Sequence, residues 1–151
     1  ADADLNEVIK GTVDLLAETL SADSMKVVLD LQDLPPARIN STQWSHLFNN
    51  LLINARDALK SAGVANPEVE IRSRNEGSQL KVEVSDNGPG IPEENRKKVF
   101  QPFFTTKDIG RGTGLGLAIA SEVVRKHQGN ISVGSGPKGG AQFTIVLPVA
   151  R

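Results

Sequence analysis

Cysteine is absent from the 151-residue chain, which excludes disulfides, thiolate chemistry and sulfur-ligated metals. Histidine is nearly absent. His46 and His127 are the only two, they lie far apart, and neither has a second histidine at helical spacing, so no zinc motif stands behind them. No excess of charge of either sign exists: 17 basic and 18 acidic residues leave a formal net charge of -1. That balance offers no basic surface for nucleic acid and no acidic tail that would stay disordered. No apolar run approaches the roughly 18 residues of a membrane-crossing helix, and no signal peptide is visible. The segment reads as cytoplasmic with no direct membrane contact of its own, although its parent protein could be anchored elsewhere. It opens on Ala1 and not on Met, as an excised or processed piece would.

What is present is a globular composition, 38% apolar and 23% charged, with a mean hydropathy of -0.22. The length suits one domain spanning residues 1–151, with a substantial core, and is short for two. Leu5, Val8, Ile9, Val13, Leu15, Leu16 and Leu20 recur at helical spacing and predict a helix from about Asp4 to Leu20. Lys26–Leu31 reads as a strand. A second helix, capped by Asn40 or Ser41, carries Trp44, Leu47, Phe48, Leu51, Leu52, Ala55, Ala58 and Leu59 on its apolar side. Val69 and Ile71, then Leu80, Val82 and Val84, alternate with polar residues around the turn at Asn75–Ser78, which predicts a hairpin with one buried face. The polar face of that sheet carries Glu68, Glu70, Arg72, Lys81 and Glu83.

From Asp86 to Gly112 only a short helix near Pro92–Val99 is expected, and so long an irregular stretch usually binds something or closes over it. A third helix runs from about Gly114 to His127, with Leu115, Leu117, Ala118, Ile119, Val123 and Val124 as its apolar side. Ile131–Ser135 and Ala141–Leu147 form a closing hairpin. The sum is an α+β fold: a two-layer sandwich in which a mixed five-stranded sheet carries three main helices on one face.

Four runs carry chemistry. In Asn50-Leu51-Leu52-Ile53-Asn54 the two asparagines lie four apart, on one side of a helix, where asparagine is not a favoured interior residue. The bland reading is a polar helix side. The chemical one is a carboxamide oxygen offered to Mg²⁺, a hard cation that takes its other ligands from water and phosphate. Asp86-Asn87-Gly88-Pro89-Gly90 is either a turn or a carboxylate presented to an exocyclic amine, with glycines that let backbone approach a planar ring. Gly110-Arg111-Gly112-Thr113-Gly114-Leu115-Gly116-Leu117 enters a helix, so its free N–H groups and the helix start form an anion nest. It matches neither a P-loop nor a dinucleotide fingerprint. Phe100-Gln101-Pro102-Phe103-Phe104-Thr105-Thr106-Lys107 reads as a satellite core, with Lys107 able to reach a phosphate.

In this order the four runs resemble the Bergerat-type ATP-binding fold of histidine kinases, DNA gyrase, Hsp90 chaperones and MutL repair proteins, and within it the catalytic domain of bacterial sensor histidine kinases. The version of the phenylalanine run is similar to the nitrogen-regulation and oxygen-sensing kinases. The resemblance implies ATP and Mg²⁺ as cofactors, a long ATP lid, and Asn54 as the metal ligand. It implies Asp86 as the adenine-recognising residue, and Asn50, Asn54 and Lys107 as the catalytic group. The nucleotide-binding set it implies is Asn54, Arg56, Ala58, Asp86, Gly88, Gly90, Ile91, Phe104, Thr105, Thr106, Lys107, Arg111, Gly112, Thr113, Gly114, Leu115, Gly116, Leu117 and Thr144. The closing Gly139-Gly140-Ala141-Gln142-Phe143-Thr144 is similar to the family's last, weaker glycine motif. Some relatives carry a basic residue where this chain has Asp57, which leaves Lys107, Arg111 and Arg56 as the phosphate contacts.

The hydrolytic relatives place a Glu four residues before the metal-binding asparagine; here Asn50 stands there, and an amide is no base near pH 7. A kinase whose acceptor is a histidine ring nitrogen needs no such base. His46 and His127 lack the acidic neighbour of that acceptor and read as structural or surface histidines. The partners implied are therefore a phosphoacceptor histidine domain and, through it, a response regulator. A serine kinase of the same fold, an ATP-dependent conformational module and a nucleotide-free binding domain are the alternatives. Acid-labile against acid-stable product, unaided ATP hydrolysis and absence of ATP binding would respectively mark them.

Overall fold

The computed structural model describes residues 2–101 and 116–149. Local capping sets where the helices start. Helix α1 spans Leu5–Ala22, and the Asp4 side chain caps it by accepting from the Asn6 N–H at 2.9 Å. Leu5, Ile9, Thr12 and Leu20 are buried along one stripe. Leu15, expected on that stripe, is 84% exposed. Adjacent residues point about 100° apart, and Leu16, half-buried against the core, takes the inward direction.

Helix α2 spans Ser41–Ser61, and Asn40 is its cap, accepting from the Gln43 N–H at 3.0 Å. Trp44, Leu47, Phe48, Leu51, Leu52, Ala55 and Leu59 are buried as predicted, whereas Ala58 lies one step round the helix and is exposed. Removing one capping acceptor costs about 1 kcal/mol. Asn40→Ala should lower the urea-unfolding free energy by that amount with an unchanged slope; no loss would mean that water replaces the cap.

Helix α3 spans Gly116–Lys126 with Ala120, Val123 and Val124 buried. Ile119, expected inside, is 52% exposed because it lies about 100° off the Ala120 direction. The next residue, His127, joins two helix ends. Its Nδ1 donates to the Val123 carbonyl at 2.7 Å, its Nε2 accepts from the Asn40 N–H at 3.2 Å, and its ring sits edge-on against Trp44. It is a structural histidine, as its sequence neighbourhood suggested, and His46 is an exposed one.

Strands β2 (Lys26–Leu31), β4 (Glu68–Asn75), β5 (Gln79–Asp86), β6 (Asn130–Ser135) and β7 (Ala141–Pro148) build a sheet in the order β2-β4-β5-β7-β6. Only the β2–β4 pair is parallel; the others are antiparallel, so the sheet is mixed. Two further strands, β1 (Asp2–Ala3) and β3 (Ala37–Arg38), pair antiparallel and are too short for any periodicity to announce. Val69 and Ile71 on β4, Leu80, Val82 and Val84 on β5, and Phe143, Ile145 and Leu147 on β7 join the helix stripes in one buried cluster. The α+β sandwich is thus as expected. The other sheet face carries half-buried Glu70, Arg72, Lys81, Glu83, Gln142 and Thr144, with Asp30 lying between Arg72 and Arg74 at 3.7 and 2.7 Å. One short helix was expected at Pro92–Val99. Two 3-10 turns, Glu93–Asn95 and Lys98–Phe100, stand there.

Candidate functional site

Helix α2 lays a line of asparagines and a small residue along one side. Asn50, Asn54 and Ala58 are each four residues apart, so they follow one another at about 6 Å per step. At its start, Asn50 Nδ2 donates to the Gly116 carbonyl at 3.4 Å. Gly116 opens α3, so that bond seats the entry of the third helix on the asparagine face of the second. Asn54 is half-buried and its side chain has no hydrogen-bond partner among the described residues. Its Oδ1 is a hard, neutral oxygen donor, and this donor type fits Mg²⁺.

At the far end of the line, the last turn of α2 meets the turn after β5. A Cβ on Gly88 would lie 3.0 Å from Leu59 Cδ2 and 3.2 Å from Asp86 Oδ1, so this turn packs tightly on the Leu59 and Asp86 side chains, and a side chain here would need them to give by a few tenths of an ångström. Asp86 is 8% exposed. Its Oδ1 accepts twice, from the Gly88 N–H at 2.9 Å and from the Ala141 N–H at 3.2 Å. Its Oδ2 has no protein partner and is not sealed from solvent among the described residues. One oxygen is therefore fixed and the other is an acceptor without a donor. Asn87 pins the same turn. It accepts from the Glu68 N–H at 2.9 Å and donates through Nδ2 to the Asn66 carbonyl at 2.7 Å.

Burial pushes the Asp86 carboxyl above its ordinary value of 3.8, and the two N–H donors pull against that rise. Between the unfolded and the raised folded value, the folded chain holds the proton more tightly than the unfolded one. Stability contributed by this group is therefore highest at low pH and falls as pH rises through that window. Carboxyl ¹³C NMR should show an Asp86 midpoint above 3.8, and a midpoint at or below it would contradict the burial.

The remaining expected positions divide by place. Gly90, at φ +82°, faces the Gly139 carbonyl, and Ile91 packs half-buried on the core. Leu117 does the same at the start of α3. Phe100 sits edge-on against Phe143, with ring centroids 6.0 Å apart. Phe104, Thr105, Thr106, Lys107, Arg111, Gly112, Thr113, Gly114 and Leu115 lie outside the described residues.

Two positions do not join the group. Arg56 is two residues beyond Asn54, on a different side of the helix, where it sits 3.6 Å from Asp23 and 3.1 Å from Asp57. Thr144 pairs with Glu83 and Ser132 on the face of the sheet away from the core. Strand alternation sends Phe143 in and Thr144 out. Gly140 and Ala141 are residues that the sequence reading did not place at the site. The sequence signal for them is the Gly-Gly pair in the β6–β7 turn, part of the weaker closing glycine motif.

A separate cleft of about 490 Å³ lies at the opposite end of α2, lined by Arg38, Asn40, Lys126, His127 and the end of β7. It shares no residue with the group around Asp86.

Residues 39–151 match the family described as histidine kinase-, DNA gyrase B-, and HSP90-like ATPase. Sporulation kinase E of Bacillus subtilis (strain 168) is 34% identical over 148 residues, covering 97% of this chain and 19% of that protein. The sensory histidine kinase/phosphatase NtrB of Rhodobacter capsulatus is 40% identical over 126 residues, covering 78% of this chain and 35% of that one. The chain thus spans only a minor part of the length of these relatives. Among solved structures, the nucleotide-free catalytic domain of histidine kinase ThkA superposes with a TM-score of 0.86 at 29% identity, covering 99% of this chain and 95% of that one. ThkA in complex with the response regulator protein TrrA superposes with a TM-score of 0.81 at 26% identity, covering 99% of this chain and 42% of that one. A family match of this extent, on a fold shared almost end to end with a kinase catalytic domain, means that the chain belongs to the histidine kinase-, DNA gyrase B- and HSP90-like ATPases, as a catalytic ATP-binding domain of the sensor histidine kinase type.

Proposed function

We propose that the chain is a single catalytic domain that binds ATP with Mg²⁺ and donates the γ-phosphoryl to a histidine on a separate phosphoacceptor domain of its parent kinase, which in turn serves a response regulator. The observation that carries this reading is Asp86, with one carboxylate oxygen tied by backbone and the other left as an acceptor. The exocyclic amine of adenine donates to that second oxygen. From there, the line Ala58, Asn54, Asn50 leads along α2 to Gly116, about 12 Å by helix rise, over which an extended triphosphate can lie. Asn54 would hold Mg²⁺ through Oδ1. The ion, when bound, offsets charge on the phosphate oxygens. Gly112 to Gly116 would cradle the phosphates, with Lys107 and Arg111 as mobile charges. Arg56, held by Asp23 and Asp57, and Thr144, on the far sheet face, are left out of the contact set.

Asn50 supports a transferase over a hydrolase. Its amide is spent on the Gly116 carbonyl and has no basicity with which to activate water. The chain's contribution is then positioning and charge stabilisation, and the nucleophile comes with the partner. ThkA, 26% identical in its complex with a response regulator, supports a partner of that kind for the parent protein. The test is to incubate the chain with γ-labelled ATP, Mg²⁺ and candidate phosphoacceptor domains. Acid-labile label on the acceptor is the expected result. Acid-stable label would instead indicate a hydroxyl acceptor, and steady hydrolysis by the chain alone a conformational ATPase.

A further inference from the structure

We infer that Gly140 is a positioning residue for Asp86 and, through it, sets the preference of the site for adenine over guanine; this rests on the reading of Asp86 as the base-recognising carboxylate. Gly140 lies in the β6–β7 turn, far from Asp86 in sequence, yet the two backbones touch. A Cβ built on Gly140 would come closer than 3.0 Å to the Asp86 carbonyl oxygen, to its carbonyl carbon and to Oδ1. Gly140 is not among the residues with positive φ, so the requirement for glycine here is room and not backbone freedom.

Neither side can retreat cheaply. Asp86 ends β5 in register with Val69, and the next residue is pinned by its bonds to Glu68 and Asn66. Gly140 in turn accepts from the Gly136 N–H at 2.8 Å, which closes the turn behind it. A methyl group at 140 must therefore move either the carboxylate or the Ala141 N–H that binds it at 3.2 Å.

That contact decides what Asp86 can recognise. Two N–H donors on Oδ1 fix the plane of the carboxylate and leave Oδ2 as an acceptor only. Adenine brings an amine to such an oxygen. Guanine brings a carbonyl oxygen to the same edge, and two acceptors repel. A carboxylate free to turn loses both the favourable contact and the discrimination.

The test uses the full chain with Gly140→Ala, and Gly134→Ala as a control because a Cβ there meets open space. ATP and GTP affinities are read by competition against a fluorescent nucleotide with Mg²⁺. Gly140→Ala should weaken ATP about 10-fold, the size of one charge-assisted hydrogen bond, and lower the ATP/GTP ratio by that factor, while Gly134→Ala changes neither. A merely structural role would weaken both nucleotides equally, and an unchanged ratio overturns the inference. Asp86→Asn separates the two readings. If it leaves ATP affinity intact, the reading of Asp86 fails. If it weakens ATP and Gly140→Ala does not, only the role of Gly140 fails. Should Gly140→Ala not fold, or GTP bind too weakly to score, amide NMR of the wild-type chain decides. The Gly88 and Ala141 N–H signals should shift together with one midpoint on acid titration, and an Ala141 signal that does not follow overturns the proposal.

Discussion

Asp86→Asn is expected to weaken ATP binding about 100-fold, a loss of roughly 2.7 kcal/mol, while leaving the fold intact. Two effects add. The amine of adenine loses a charged acceptor, and the variant amide can turn its own NH₂ toward that amine, setting donor against donor. The fold keeps its bonds because the Asn carbonyl can still accept from the Gly88 and Ala141 N–H groups. It also escapes the cost of holding a buried carboxylate ionised, the same burial that raises the Asp86 carboxyl. The nucleotide-free variant should therefore melt at or above the wild-type temperature at neutral pH. Calorimetric titration with ATP and a thermal melt check the two halves. Unchanged affinity would remove Asp86 from base recognition. A collapsed melt with lost affinity would make it a structural acid instead.

Asn54→Ala is the second large effect. Phosphoryl transfer to the acceptor domain should fall about 100-fold, as when one preorganised electrostatic group is removed, and the gain in ATP affinity on adding Mg²⁺ should shrink. ATP binding without Mg²⁺ should change little, since the carboxamide is read as touching the metal and not the base. The fold has no stake in this side chain: it is half-buried, forms no hydrogen bond with the described residues, and Ala is the better helix former by about 0.5 kcal/mol. Titrations with and without Mg²⁺ give the answer. A variant that retains the full Mg²⁺ response would show that the metal is held elsewhere.

Much of the fold was legible before any coordinates. The stripes of α1 and α2 and the alternation in β4, β5 and β7 follow from periods of 3.6 and 2, which need only residues a few positions apart. Capping by Asp4 and Asn40 is equally local. The misreadings share one cause. Leu15, Ala58 and Ile119 were placed inside because apolar residues beside a stripe look like part of it, while the width of the buried stripe depends on the neighbouring element. Arg56, which the resemblance implies as a phosphate contact, lies two residues beyond Asn54 on α2 and pairs with Asp23 and Asp57.

The sequence by itself determined the three long helices, the five strands of the main sheet, the asparagine line of α2 and the presence of an acidic turn at Asp86, because each depends on spacing within a single segment. The tertiary structure decided how Asp86 is held. Its Oδ1 is tied by Ala141, 55 residues away, and the approach is open only because Gly140 has no side chain. It also sent Thr144 to the far face and made His127 a clasp between α2 and α3. These contacts follow from strand order and register across the β5–β7 pair and from helix packing, and no local pattern encodes which strand will lie beside which.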